Sequence, residues 1–262
     1  MCYIINTMKI NEFDYYFKIR DDNDIVLNLN VIYKNLGYSK IDKNNISKLF
    51  NFTANDLIGD EYISDLRTKV KNYTADKYDY VLKVCQQLQT KWEGYKENYF
   101  RILNKIFDIE IDRDIKTYTY CYLQPLPINE ISLQDNIIYL DYNKNIDDLF
   151  KTFIIMLTKL ILINRWNDIN RWNFNTEFDV KNRIWMFAEI AIDAVFANSE
   201  LALISDMPTY KYFYNLEEDG RNVMNLFREK YNQLPLDDFF TSVYMFVYEK
   251  YNTLLQFKNY LY

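Results

Sequence analysis

The sequence predicts a mostly helical α+β chain with a small two- or three-stranded sheet near its middle. Three observations predict it. Val81, Cys85, Leu88, Trp92, Tyr95, Tyr99, Ile102 and Ile106 recur at alternating spacings of four and three, the seam of a long helix. Thr117 to Gln124 then alternates Thr with Tyr or Cys until Pro125 and Pro127, a strand pattern with its terminator. Beyond residue 145 the apolar residues return to helical spacing, densest over Phe150–Ile163.

The elements follow in chain order. Residues 1–75 mix short apolar runs with Asn, Asp and Lys and read as a small N-terminal module. In it Met1–Ile5 and Ile25–Ile32 have the apolar density of strands. Residues 76–262 carry no Pro/Gly/Ser linker and read as one continuous, mainly helical body. The 81–106 seam suits either a coiled-coil partner surface or a helix laid across its own domain. Its bulky Trp92, Tyr95 and Tyr99 favour the second. After the 117–124 strand, Asn136–Tyr142 reads as another strand. The stretch between them is long for a tight hairpin. Asn145 or Asp147 then caps a helix through about Asn164, with Asp147 and Asp148 at its positive end. Arg183–Leu203, Asn222–Tyr231 and Asp237–Tyr260 supply further helices, with stops at Pro208 and Pro235.

Composition narrows the chemistry. The chain has 262 residues, no histidine and four glycines. Without histidine, Ser-His, Cys-His and His-metal mechanisms are excluded. Gly37, Gly59, Gly94 and Gly220 lie too far apart for a phosphate-cradling loop, which removes Walker-type and ordinary dinucleotide-binding sites. A net charge of −6 opposes a phosphate-binding surface, so nucleic acid is a disfavoured partner. Cys2, Cys85 and Cys121 form no C-x-x-C pair, which favours a reducing compartment over a disulfide framework. Cys121 reads as a nucleophile or, more simply, as a small buried hydrophobe. The N-terminus lacks signal-peptide features, and the 150–163 window carries Lys151 and Lys159 and is short for a membrane span. A cytoplasmic protein with no membrane segment is expected. The abundance of Tyr, Asn, Ile and Lys suits an AT-rich coding source, such as a bacterial mobile element or phage.

Seven stretches stand in a suggestive order. LQTKWEGYKENYFRILNKIF precedes the strand TYTYCYLQPLP, which is followed by NIIYLDYN. DDLFKTFIIMLTKLILINRW and IWMFAEIAIDAVFANSEL come next, then GRNVMNLFREKYN and DDFFTSVYMF. Order and apolar context over roughly residues 80–250 resemble a bacterial gluzincin-type zinc metallopeptidase-like family. The resemblance implies a zincin-like scaffold whose first core helix carries H-E-x-x-H. Two His there bind zinc and the Glu acts as base. The matching register places Ile155 and Lys159 at the ligand positions and Met156 at the base. A shift by one residue, to Met156–Leu160, fits no better. Glu189 falls at the third ligand position, with Asp193 one turn on. One carboxylate cannot hold catalytic zinc. The resemblance therefore implies a pseudoenzyme, with no metal and no cofactor. Glu189 has two open readings: a buried ion pair with Lys159 in place of the metal, or a solvated helix residue.

Arg165, Trp166, Arg171 and Trp172, in NRWNDINRWNFN, form two Arg-Trp doublets on an expected loop. They suit a protein-binding surface, since Trp and Arg dominate interface hot spots. They also suit base stacking with phosphate contacts, or a fold-back that buries both rings. The expected function is non-catalytic: binding another protein and altering its activity, as an inhibitor or host-defence antagonist. Two alternatives stand beside it, a metal-independent hydrolase using acidic residues and a structural subunit using the 81–106 seam. A pseudoenzyme needs an aromatic-rich surface patch and a filled former active site. An enzyme needs an open pocket with converging carboxylates, and an assembly subunit needs an exposed seam.

Overall fold

The computed structural model describes residues 8–34, 40–52, 60–107, 109–127, 129–133, 135–170, 183–203, 213 and 216–259. Strand β1 (Met8–Ile19) ends on alternating side chains, with Tyr15 and Phe17 buried and Tyr16 and Lys18 outward. The chain then turns into α1 (Asp22–Lys34), where the Asp21 carboxylate accepts the Asn23 N–H at 2.8 Å. Ile25–Ile32, expected as a strand, lies in this helix. Ile25, Val26 and Leu29 fall on one helical face and are buried there. Met1–Ile5 lies outside the described residues. Helix α2 (Lys40–Phe50) follows, then α3 (Asp60–Phe107), 48 residues long. The expected boundary at 75/76 falls inside α3.

The seam on α3 packs against the protein's own body. Val81, Cys85, Leu88, Trp92, Tyr99 and Ile102 are buried, while Tyr95 stays exposed against Phe150, ring centroids 5.5 Å apart. Four strands then make the main sheet, rather than two or three. β2 (Ile109–Gln124), β3 (Glu130–Ser132) and β4 (Ile137–Asp141) join β1 in the order β1-β2-β4-β3. β1, β2 and β4 run parallel, and β3 is antiparallel to β4 at the edge. Two strands escaped the sequence pattern. β1 arrives from far upstream, and β3 is three residues inside the Pro125–Asp135 connection.

Helix α4 (Ile146–Asn170) is capped by Asn145, whose Oδ1 accepts the Asp148 N–H at 2.9 Å. Helix α5 (Arg183–Ala197) is buried at every position from Ile184 to Phe196 and forms the centre of the helical layer. A short 3-10 turn (Glu200–Leu203) leads on to the hairpin β5 (Glu217–Glu218) and β6 (Arg221–Asn222). Its two turn residues, Asp219 and Gly220, have φ of 51° and 72°, as a primed turn requires. Helix α6 (Val223–Gln233), capped by Asn222, and α7 (Leu236–Asn259) follow.

Helices α3 and α4 cover one face of the sheet, where Tyr15 and Phe17 meet Trp92 and Phe153 edge-to-face. α5 packs behind α4, with α6 and α7 against it. A second, smaller core gathers Ile25, Val26, Leu29, Ile46, Phe50, Phe52, Leu66 and Val70 with Leu126 from beyond β2. Among the described residues, no helix is long and apolar enough to cross a membrane.

Candidate functional site

The four positions singled out by the family resemblance all lie in the core, three on α4 and one on α5. Ile155, Met156, Lys159 and Glu189 are 5, 4, 1 and 3% exposed. An i, i+4 spacing puts Ile155 and Lys159 on one face of α4. The Lys159 ammonium reaches across to α5 and donates to Glu189 Oε1 in a direct ion pair. Glu189 is thus not a solvated helix residue. Burial pushes its carboxyl above the ordinary range, the Lys159 charge opposes that, and Asp193 one turn on adds to it. Asp193 is buried too. Arg228 of α6 clamps it through both guanidinium arms, Nε at 2.8 Å and Nη2 at 3.0 Å. Next to Lys159, Thr158 donates to the Ile154 carbonyl at 2.7 Å and accepts the Tyr99 hydroxyl at 3.0 Å.

This cluster holds two carboxylates, each answered by a cation, and both are sealed from solvent. Among the described residues no group of three or more Cys, Asp or Glu is arranged to hold a metal ion. A shallow surface depression of about 270 Å³ lies elsewhere, lined by Ile102, Lys105, Glu200 and Tyr231 among others. Its single carboxylate, Glu200, is bound by Arg101 at 2.8 Å and Lys105 at 2.9 Å, which hold its pKa down to about 2. Cys121 is fully buried and its thiol is pushed well up by desolvation, as a packed hydrophobe's would be. Cys85, buried nearby, is pushed up to about 12.

The Arg-Trp doublets divide. Trp166 belongs to the core, 1% exposed between Phe187 at 5.0 Å and Tyr244 at 5.1 Å. α4 continues past the expected end at Asn164, and its buried stripe carries the ring inward. Arg165 is held along the surface by Asp237 at 3.3 Å. Neither forms the projecting doublet a partner would grip. Arg171 and Trp172 lie outside the described residues.

A different aromatic surface emerges on the sheet face that α3 and α4 leave uncovered. Lys18 Nζ sits 3.9 Å over the Tyr120 ring, and Tyr120 leans on Tyr122 at 5.7 Å. Tyr122 stacks on Tyr139 at 5.8 Å, and Arg20 closes the row 4.1 Å over Tyr139. The row crosses β1, β2 and β4, with Tyr16 beside it at 39% exposure and paired in register with Tyr120. The Thr/Tyr alternation at 117–124 held the signal for this face. Arg228, by contrast, had no signal in the sequence, because its partner Asp193 lies 35 residues away.

Comparison with protein-family models, with curated proteins and with solved structures finds no match.

Proposed function

We propose that this chain is a non-catalytic protein-binding protein that regulates its partner, built on a degenerate zinc-metallopeptidase-like scaffold. The observation that carries the reading is the buried Lys159–Glu189 pair. An ammonium stands beside the carboxylate that the resemblance assigns to the third metal ligand, and the space is closed. A zinc ligand set cannot include an ammonium, whose nitrogen has no lone pair to give. The tyrosine row supplies a surface suited to a folded protein. Its ring faces are taken up by each other and by Lys18 and Arg20, so it offers ring edges and hydroxyls rather than open platforms for bases. Tyrosine gives large contact area for little lost side-chain freedom. An inhibitor or host-defence antagonist from a bacterial mobile element or phage fits this combination.

The 81–106 seam is spent on the protein's own core, which removes the observation favouring a structural subunit. The acid-based hydrolase gains none either, since Glu189 and Asp193 are each paired and buried.

Two experiments separate the function from the scaffold. Affinity capture from host extract, using the wild-type chain and a folded Tyr16→Ser/Tyr120→Ser variant as baits, tests binding. A stoichiometric protein held by the first and lost from the second is expected. No stoichiometric protein, or one held equally by both, overturns the assignment of this face. For the scaffold, Ile155→His with Lys159→His is expected to create a zinc site with Glu189 as third ligand. One tight equivalent of zinc by titration, abolished by adding Glu189→Gln, is the predicted result. A folded variant without that equivalent counts against zincin-like geometry.

A further inference from the structure

We infer that Gln89 locks the outer edge of β1, standing in for one residue of a further parallel strand and keeping that edge from pairing with β1 of a second copy. Among the described residues β1 is the outermost strand of the sheet, so its alternate backbone groups face away from β2. Two of these are the Tyr15 carbonyl and the Phe17 N–H. In a parallel sheet, the neighbour opposite Tyr16 would donate its N–H to the first and accept from the second with its carbonyl. The Gln89 amide does both. Nε2 donates to the Tyr15 carbonyl at 3.2 Å, and Oε1 accepts the Phe17 N–H at 3.2 Å.

The amide is held in that orientation from its own helix. Its Nε2 also donates to Glu93 Oε1, one turn on, at 3.0 Å, and Glu93 is anchored by Lys96 at 2.7 Å. A carboxylate only accepts, so Glu93 selects the NH2 end of the amide and thereby turns the carbonyl end toward Phe17. Gln is suited to the role because it carries a donor and an acceptor at peptide-like separation. Ala has neither, and Glu lacks the donor.

The occupant that removal of the lock admits is a second β1. Identical edges related by a twofold axis pair antiparallel, and each residue that turns its N–H and carbonyl outward then meets such a residue on the other chain. The device needs no metallopeptidase ancestry.

The test is Gln89→Ala, with mass measured by light scattering across a concentration series beside the wild type. The wild type is expected to remain monomeric. The variant is expected to double its mass as concentration rises, with amide protection over residues 15–17 rising in step. Glu93→Ala, which frees the amide without removing it, is expected to do the same at higher concentration. A folded Gln89→Ala chain that stays monomeric throughout overturns the inference, as does a wild type that already pairs through β1. Should Gln89→Ala fail to fold, hydrogen exchange on the wild type decides. A Phe17 amide as protected as its inward-facing neighbours upholds the lock, and one that exchanges freely overturns it.

Discussion

Removing two charges from water is costly, and Lys159 and Glu189 offset that cost by pairing with each other. Truncating one partner strands the other, so Glu189→Gln is expected to lower stability by about 3–5 kcal/mol in urea denaturation. Lys159→Met combined with Glu189→Leu removes both charges and is expected to return to near wild-type stability or above it. An unchanged melting temperature for Glu189→Gln would show that the pair is not an energetic unit. The pH response separates this carboxylate from the surface ones. Burial raises the folded pKa of Glu189, so its contribution is fullest below the unfolded value and declines as pH rises through the folded one. Glu200 has the opposite sign. Held to about 2 against an ordinary 4.5, it contributes above 4.5 and loses that contribution as pH falls toward 2. Glu200 is exposed, so salt screens it, whereas Glu189 is shielded from salt by burial.

At the scale of elements, what could be read from the sequence was what local chemistry alone decides. Asn145, one of the two caps the sequence offered, caps α4, and the 81–106 periodicity marks a real helix. The Lys159–Glu189 contact was open in the sequence because a matched register, not periodicity, brought the two positions together. β1 was hidden for a definite reason. In Tyr15-Tyr16-Phe17 the outward Tyr16 is as apolar by class as its inward neighbours, so the period of two vanishes, although only Tyr15 and Phe17 enter the core. Ile25–Ile32 misled in the reverse direction, since a short apolar run fits a strand or a helix until its cap is recognised. The Asp21 carboxylate on the Asn23 N–H makes that choice. Trp166 was assigned to a loop from its Asn and Arg neighbours, but α4 runs on through Asn170, and helical spacing from Leu162 and Ile163 carries the ring into the same stripe. Tertiary contacts such as Asp193–Arg228 and the Gln89 edge contact leave no mark at short range.

On the scale of the whole molecule, β1 of the expected 1–75 module belongs to the larger core, and α3 changes allegiance along its length. On α3, Leu66 and Val70 pack into the smaller core, the buried residues from Val81 to Phe107 pack into the larger, and residues 75–80 between them are exposed. Tyr73 touches both cores. The two are also tied by Asn28, which donates to Glu130 at 2.9 Å. Such a junction, a bare stretch of helix, one shared tyrosine and a polar tie, couples two cores weakly compared with the continuous apolar packing inside each. Leu66→Ala should therefore weaken the smaller core by about 2–5 kcal/mol without drawing the larger one down with it. Among the described residues the tryptophans Trp92, Trp166 and Trp185 lie in the larger core. In urea, hydrogen exchange over residues 22–74 is expected to open first in the variant, while tryptophan fluorescence follows the wild-type curve. Leu157→Ala, in the larger core, is expected to move the fluorescence transition instead. If Leu66→Ala shifted both signals together, the bare stretch of α3 would be transmitting stability as fully as packed core, and the chain would unfold as one unit.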